Sequence, residues 1–255
     1  DGKVRWLSDL RELNKAIKPV NYTLPIISDI VRKRQGYKYM TKLDLSMMFY
    51  AIELTDRAKE LCVISTHFGN FQYERAPMGL RNSPAFAQSI IEDTLRDIDK
   101  CEVYIDDVGV WSNDWKSHLT VLSRIFSKLE EKGFAVNPLK CEFGIKEGDF
   151  LGHWMTPEGV RPWAKKVDAI LKLDRPKTAS DVRTFTGMIN WYRDFYPRRA
   201  HLLSPFTKLQ NAGAAGNKKQ PIEWTDELEQ CFKEVKAVIA RDTLLQFPNH
   251  NLPFD

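Results

Sequence analysis

Apolar and polar positions alternate with a period near two through "LCVISTHFGNFQYERA", which predicts two strands joined at Gly69-Asn70. "YKYMTKLDL" and "FYAIEL" also read as strand, from their aromatic and β-branched content. "CEVYIDDVGVW", residues 101–111, gives two strand halves on either side of Asp106-Asp107. Elsewhere the period is helical. Ser83 followed by Pro84 predicts a cap and first turn for "PAFAQSIIEDTLRDI". Leu119, Leu122, Ile125 and Leu129 mark one face of a helix that Asp114 can cap and Gly133 can end. A further hairpin, "KCEFGIKEGDFLGHWM", is expected to turn near Glu147-Gly148.

From about residue 163 the pattern predicts helices only. "PWAKKVDAILKL" and "SDVRTFTGMINWYRDF" are amphipathic pieces separated by the proline of "DRPKTA". "NAGAAGNKKQP" has the small, polar composition of a linker. "TDELEQCFKEVKAVIA" is a last helix with Thr225 as cap and acids in its first turn. The expected fold class is therefore α+β, with an antiparallel unit followed by a helical one.

Two successive aspartates inside a strand-like run need a reason, because Asp is depleted in strands. One reason is a hairpin turn, whose geometry Asp tolerates. The other is presentation of carboxylates to metal ions. Asp44, in "TKLDLSMMFYAIEL", bears on the choice: an ionised group in an apolar strand is costly unless it is paired, ligating or at the strand end. A strand ending at Asp44 beside a hairpin turning at Asp106-Asp107 brings carboxylates to one sheet edge. Such a group suits hard divalent cations.

Composition narrows the class without deciding it. The 255 residues are 43% hydrophobic, enough for a substantial core. No apolar run is long enough to span a bilayer, and the first residues carry no signal-peptide pattern, so no membrane partner is expected. The four cysteines, Cys62, Cys101, Cys141 and Cys231, form no CxxC pair and no zinc-ligand cluster, and read as free thiols. The net charge of +4 is modest. Basic residues group as Arg32-Lys33-Arg34, Lys165-Lys166, Arg193 with Arg198-Arg199, and Lys218-Lys219. The aromatics interleaved with them in "INWYRDFYPRR" suggest a nucleic-acid surface.

Taken in order, "LRELNK", "LDLSMMFYAIEL", "APMGLRNSPAFAQ", "YIDDVGVWS" and "NPLKCEFGIKEGDFLGHWMTPEGV" resemble successive motifs of reverse transcriptases, most closely those of gypsy-type LTR retrotransposons. The resemblance covers essentially the whole chain and favours metal binding for the adjacent aspartates. It implies a right-hand polymerase fold: partial fingers at residues 1–19 and 53–82, a palm with an antiparallel sheet at 20–52 and 83–156, and a helical thumb at 157–212. A linker and the start of a connection domain are expected at 213–255.

The same resemblance implies RNA-directed, and also DNA-templated, synthesis of DNA from dNTPs on a primed template. The family's catalytic, metal-binding triad falls on Asp44, Asp106 and Asp107, expected to hold two Mg²⁺ ions, with Mn²⁺ able to substitute. Phe49 matches the aromatic under the deoxyribose that excludes a 2′-OH. Arg5 matches a fingers arginine on the triphosphate, with Lys3 assisting, although an ordinary surface arginine remains open. Met78 stands where relatives carry other nucleotide-contacting side chains and is expected to pack near the sugar; Gly79 would admit close backbone approach. Leu151, Gly152 and His153 resemble the primer grip, with a core or solvent histidine the alternative for His153.

The remainder of a pol polyprotein, meaning protease, RNase H and integrase, is expected in the parent, within a cytoplasmic virus-like particle. The N-terminal fingers and the RNase H carboxylates are expected to lie outside this segment, and Asp255 is not expected to be one of the latter. Two other functions remain open. One is a non-catalytic template-primer-binding fragment or decayed element copy; the other is a different two-metal nucleotidyl transferase.

Overall fold

The computed structural model describes residues 6–34, 36–195, 199–214, 221–241 and 245–246. The chain divides into two units, Asp1–Leu151 and Gly152–Asp255.

The first unit opens with two short helices, α1 (Arg11–Ala16) and α2 (Ile27–Arg32), then enters its central strand, β1 (Tyr39–Ser46). A single 3₁₀ turn (Met48–Ala51), α3 (Asp56–Leu61) and the small hairpin β2 (Val63–Thr66) with β3 (Gly69–Gln72) follow. Next come α4 (Ser83–Leu95), β4 (Cys101–Tyr104), β5 (Asp107–Ser112) and α5 (Trp115–Glu131). Three short strands, β6 (Ala135–Val136), β7 (Glu142–Ile145) and β8 (Gly148–Phe150), complete the unit.

The main sheet runs β4-β5-β1-β6, and β7 also pairs with β1, all antiparallel. Leu43 and Leu45 of β1 point to the core, while Lys42 and Asp44 lie on the other face, as the two-residue strand period requires. Against the core face pack Ile91 and Leu95 of α4 and Leu122, Ile125 and Leu129 of α5. Full burial of each such side chain stabilises by roughly 1.5–3 kcal/mol.

Several predicted elements shift. "FYAIEL" is not a strand: the chain leaves the sheet after Ser46 through Met47 in the left-handed region (φ 49°) and coils once, burying Met48. A short apolar run buried in a turn has the same pattern as a buried strand. The small hairpin turns at His67-Phe68, where the Thr66 hydroxyl accepts from Phe68 N–H and donates to the Gly69 carbonyl, so Gly69 already starts a strand. Ser83 is the first helical residue and not the cap. Asn82 occupies the cap position, yet its side chain is committed to Val20 N–H and the Lys18 carbonyl.

Asp114 does cap α5, accepting from Ser117 N–H at 2.7 Å, and Gly133 follows the helix at φ 72°. Leu119 is exposed, and the inward positions are His118 and Val121. His118 is buried between the hydroxyls of Thr41 and Ser112, each 2.7 Å from a ring nitrogen. The turn expected near Glu147-Gly148 does separate β7 from β8, and β7 lies along β1.

In the second unit, β9 (His153–Thr156) and β10 (Gly159–Pro162) form a hairpin. The helices α6 (Ala164–Leu171), α7 (Ala179–Trp191), α8 (Arg199–Ala214) and α9 (Asp226–Ile239) follow, with a 3₁₀ turn at Arg193–Phe195. The short strand β11 (Leu245–Gln246) pairs with β10, so this part is not helical throughout. Thr178 and Asp181 form a reciprocal capping box at the start of α7, and Thr225 caps α9 by accepting from Leu228 N–H. Helix α8 runs through Ala214, so the predicted linker is helical over its first residues; residues 215–220 lie outside those described. Phe185, Phe206, Trp224 and Phe232 make the interior aromatic contacts.

Candidate active site

The antiparallel register of β1 and β5 sets Asp44 directly opposite Asp107. Residues so paired share a face of the sheet, with Cβ atoms about 4.5–5.5 Å apart. Asp44 lies inside its strand, two residues before the end, and its side chain is only 15% exposed. Its backbone is tied on the other side to the loop after β6, where Asn137 N–H donates to the Asp44 carbonyl at 2.8 Å.

The hairpin between β4 and β5 turns one residue earlier than predicted. Tyr104 pairs with Asp107, so Ile105 and Asp106 form the two-residue loop and Asp107 is already strand. Ile105 has φ 53°, and it is the only one of the two with positive φ. That is the type II′ pattern, which favours glycine at its first position and is strained for a β-branched residue. Asp106 is exposed at the tip, with its carbonyl accepting from Leu45 N–H at 2.8 Å. Burial, then the neighbouring Asp106 carboxylate, push Asp107 up to about 6; Lys42 opposes this, and Asp44 and Asp149 add to it.

Two lysines compensate this negative charge. Lys140 Nζ contacts both carboxylate oxygens of Asp44, at 2.9 and 3.2 Å. Lys42 Nζ pairs with Asp149 at 2.9 Å and lies 3.8 Å from Glu142. Among the described residues, no three acidic, histidine or cysteine side chains are gathered into a set that could hold an ion as they stand. The available donors are nevertheless all carboxylate oxygens, and burial disfavours the anionic form of Asp107. This chemistry fits a hard divalent ion and not a soft one.

The other predicted residues fall as follows. Phe49, in the 3₁₀ turn, is half-buried against the core cluster. Met78 and Gly79 form a turn before α4. Gly79 has φ 96°, nothing stands where its Cβ would be, and its carbonyl accepts from Asn14 Nδ2 at 2.8 Å. Lys3 and Arg5 lie outside the described residues. Leu151 and Gly152 both have positive φ, 48° and 76°, as a tight turn requires. Leu151 ends the first unit, while Gly152 and His153 begin the second. The Gly152 carbonyl accepts from Tyr192 Oη at 2.8 Å, and His153 is buried among Trp191, Tyr192 and Phe195. Burial pushes the Tyr192 phenol up to about 12.

The basic and aromatic surface expected from "INWYRDFYPRR" is thus partly interior, because Tyr192 and Phe195 are buried. Lys166 sits 5.2 Å from the Trp191 ring and Lys165 5.5 Å from that of Trp163. Arg34 is not a solvated charge either: it binds Glu102 at 2.7 Å. Arg198, Lys218 and Lys219 are outside the described residues. All four cysteines are free thiols.

Sequence reasoning missed two residues at this site. Lys140 stands four residues before the first glycine of its motif, with no pattern linking it to Asp44. Gln88 is a fully buried amide in α4 that reaches the backbone of the β4–β5 hairpin.

Residues 1–155 match the family described as reverse transcriptase (RNA-dependent DNA polymerase). The chain belongs to that family. This reverse transcriptase chain is 34% identical over 99% of its length to the retrovirus-related Pol polyprotein from transposon 297 of Drosophila melanogaster. It is 32% identical over its whole length to the Pol polyprotein from transposon opus of the same organism. These relatives place it with the LTR-retrotransposon enzymes of gypsy type. It covers 24% and 26% of those polyproteins, so it spans about a quarter of the relatives it matches. Among solved structures, it resembles a foamy viral protease-reverse transcriptase in complex with double-stranded DNA, with a TM-score of 0.89 and 25% identity over 96% of this chain and 43% of that one. The foamy viral protease-reverse transcriptase in complex with RNA/DNA hybrid gives 0.84 and 25% identity over 93% of this chain and 32% of that one. The polymerase fold expected from the sequence is borne out.

Proposed function

We propose that this chain carries the polymerising centre of an RNA-directed DNA polymerase, one that also copies DNA, adding nucleotides from dNTPs to a primer 3′-OH. The observation that carries the reading is the pairing of Asp44 with Asp107 across β1 and β5, beside Asp106 on the strained tip. Asp44, Asp106 and Asp107 would hold two Mg²⁺ ions, which Mn²⁺ can replace. When bound, such ions activate the attacking oxygen and stabilise the leaving one.

The protein's own residues do the rest. The strand register fixes the separation of two of the carboxylates, so that little reorganisation is needed at reaction. Phe49 presents a ring to the sugar and excludes a 2′-OH, with its rigidity supplied by the core behind it. Met78 packs beside the sugar, and Gly79 lets the backbone approach the substrate. Arg5, assisted by Lys3, is assigned to the triphosphate, where a forked guanidinium suits phosphate oxygens. Leu151, Gly152 and His153 are assigned to the primer terminus. Residues 1–19 and 53–82 serve as fingers, 20–52 and 83–156 as palm, 157–212 as thumb and 213–255 as the linker and start of a connection domain. The foamy viral complexes with double-stranded DNA and with RNA/DNA hybrid support a primed template as the partner. The Pol polyprotein relatives support a parent that includes further polyprotein domains.

One observation favours a second reading, a fragment that binds template-primer without polymerising: Lys140 already neutralises Asp44. Comparison of the wild type with Asp44→Asn separates the two. On the polymerase reading the wild type extends the primer, while the variant retains template-primer binding by fluorescence anisotropy and loses extension; on the second reading both bind and neither extends. Extension at the wild-type rate in that variant would remove Asp44 from the mechanism.

A further inference from the structure

Gln88 lies in the middle of α4 and is fully buried. A buried amide must satisfy both its acceptor and its donors or carry the cost of desolvation unpaid. Gln88 does so with three partners. Its Oε1 accepts from Ile105 N–H at 2.5 Å, and its Nε2 donates to the Val103 carbonyl at 3.0 Å and to Glu92 Oε1 at 2.6 Å. These partners fix the amide's orientation, since a flipped amide would set its oxygen against a carbonyl and a carboxylate. Glu92 accepts in turn from the Tyr22 hydroxyl. The bonds therefore run from Tyr22 through Glu92 and Gln88 to the backbone on both sides of Tyr104.

That backbone is the strained one. Ile105, a β-branched residue at φ 53°, persists there only if its surroundings over-determine it. Asp106 follows directly, and its own carbonyl is held by Leu45 of β1. The hairpin tip is thus gripped from two sides, by the central strand and by Gln88.

We propose that Gln88 is a positioning residue that holds Ile105 in the left-handed conformation and thereby places Asp106 and Asp107, without touching substrate. The inference rests on reading those aspartates as the catalytic carboxylates. No near neighbour of glutamine does the same work. Glutamate keeps the acceptor, loses the donor to Val103 and faces Glu92 with a like charge. Asparagine is one methylene too short, and methionine fills the volume while leaving Ile105 N–H and the Val103 carbonyl unpaired.

The test is a double-mutant cycle of Gln88→Met with Ile105→Gly, read by hydrogen exchange over residues 101–111 and by kcat and KM. Gln88→Met should raise exchange in that segment and lower kcat roughly tenfold or more, while KM for template-primer stays within about twofold. In the Ile105→Gly background the same substitution should cost no more than about threefold, because glycine holds positive φ unaided. Losses of equal size in the two backgrounds, or wild-type exchange and kcat in Gln88→Met, would overturn the proposal. If Gln88→Met does not fold, Gln88→Asn replaces it under the same criteria. A wild-type chain that extends no primer would sink the catalytic reading alone. Exchange at 101–111 would still decide the positioning device, upheld if the two substitutions couple and rejected if they act independently.

Discussion

Lys140 Nζ grips both carboxylate oxygens of Asp44, at 2.9 and 3.2 Å, across 96 positions of sequence. A divalent cation held by Asp44 would compete with the lysine for the same oxygens. Its side chain is 55% exposed, so solvent screens much of the attraction and the pair holds the carboxylate only weakly. Lys140→Gln should therefore tighten Mn²⁺ binding by a few-fold, no more. A Mn²⁺ titration followed by electron paramagnetic resonance on both proteins reads this; unchanged or weaker binding in the variant would contradict the competition.

Gly109 of β5 has no room for a side chain. A Cβ there would stand 2.1 Å from Trp111 Cη2 and 2.8 Å from Phe150 Cζ, two rings that pack edge to face at 5.2 Å. Gly109→Ala should destabilise the fold by about 1–3 kcal/mol or more, the usual cost of overpacking. Adding Trp111→Leu should restore part of the loss. Urea unfolding of the three proteins measures this, and an unaffected midpoint in Gly109→Ala would refute the packing.

His118 gives a stability change with pH. Burial between two hydroxyls lowers its pKa below the ordinary 6.5, so the unfolded chain binds a proton more readily than the folded one. Its contribution is present above pH 6.5 and is lost as pH falls below that value. Unfolding free energy measured from pH 7.5 down to 5 should decline more steeply in the wild type than in His118→Gln. Parallel curves would show that His118 does not titrate differently on folding.

Phe49→Val should relax sugar selection, raising ribonucleotide incorporation relative to dNTPs by tenfold or more as a rigid ring gives way to space (~1.4 kcal/mol per tenfold). Single-nucleotide insertion kinetics with matched rNTP and dNTP provide the measurement. Unchanged discrimination would take Phe49 out of the sugar pocket.

What was legible in the sequence was what repeats locally. Asp114 and Thr225 announced their helices because a cap is read within three residues. The strands that carry Asp44 and Asp107 were legible from their aromatic and β-branched content, but the register that pairs them was not. The turn was misplaced by one residue, because Asp-Asp carries a familiar turn signal and Ile105 at positive φ carries none. Gln88 and Lys140 were invisible for another reason. Each acts across the fold, on Ile105 and Asp44, and a polar residue in a helix or loop reads as solvent-facing until its partner is located. The buried aromatics Tyr192 and Phe195 were read as surface because the basic residues beside them are genuine surface signals.

Primer extension on an RNA template, with Mg²⁺ and separately with Mn²⁺, comparing this chain with Asp106→Asn/Asp107→Asn, tests the assignment of these aspartates. Metal-dependent DNA synthesis is expected from the wild type and none above background from the variant, with template-primer binding retained in both. Equal synthesis by the two proteins, or binding without synthesis by either, would contradict it.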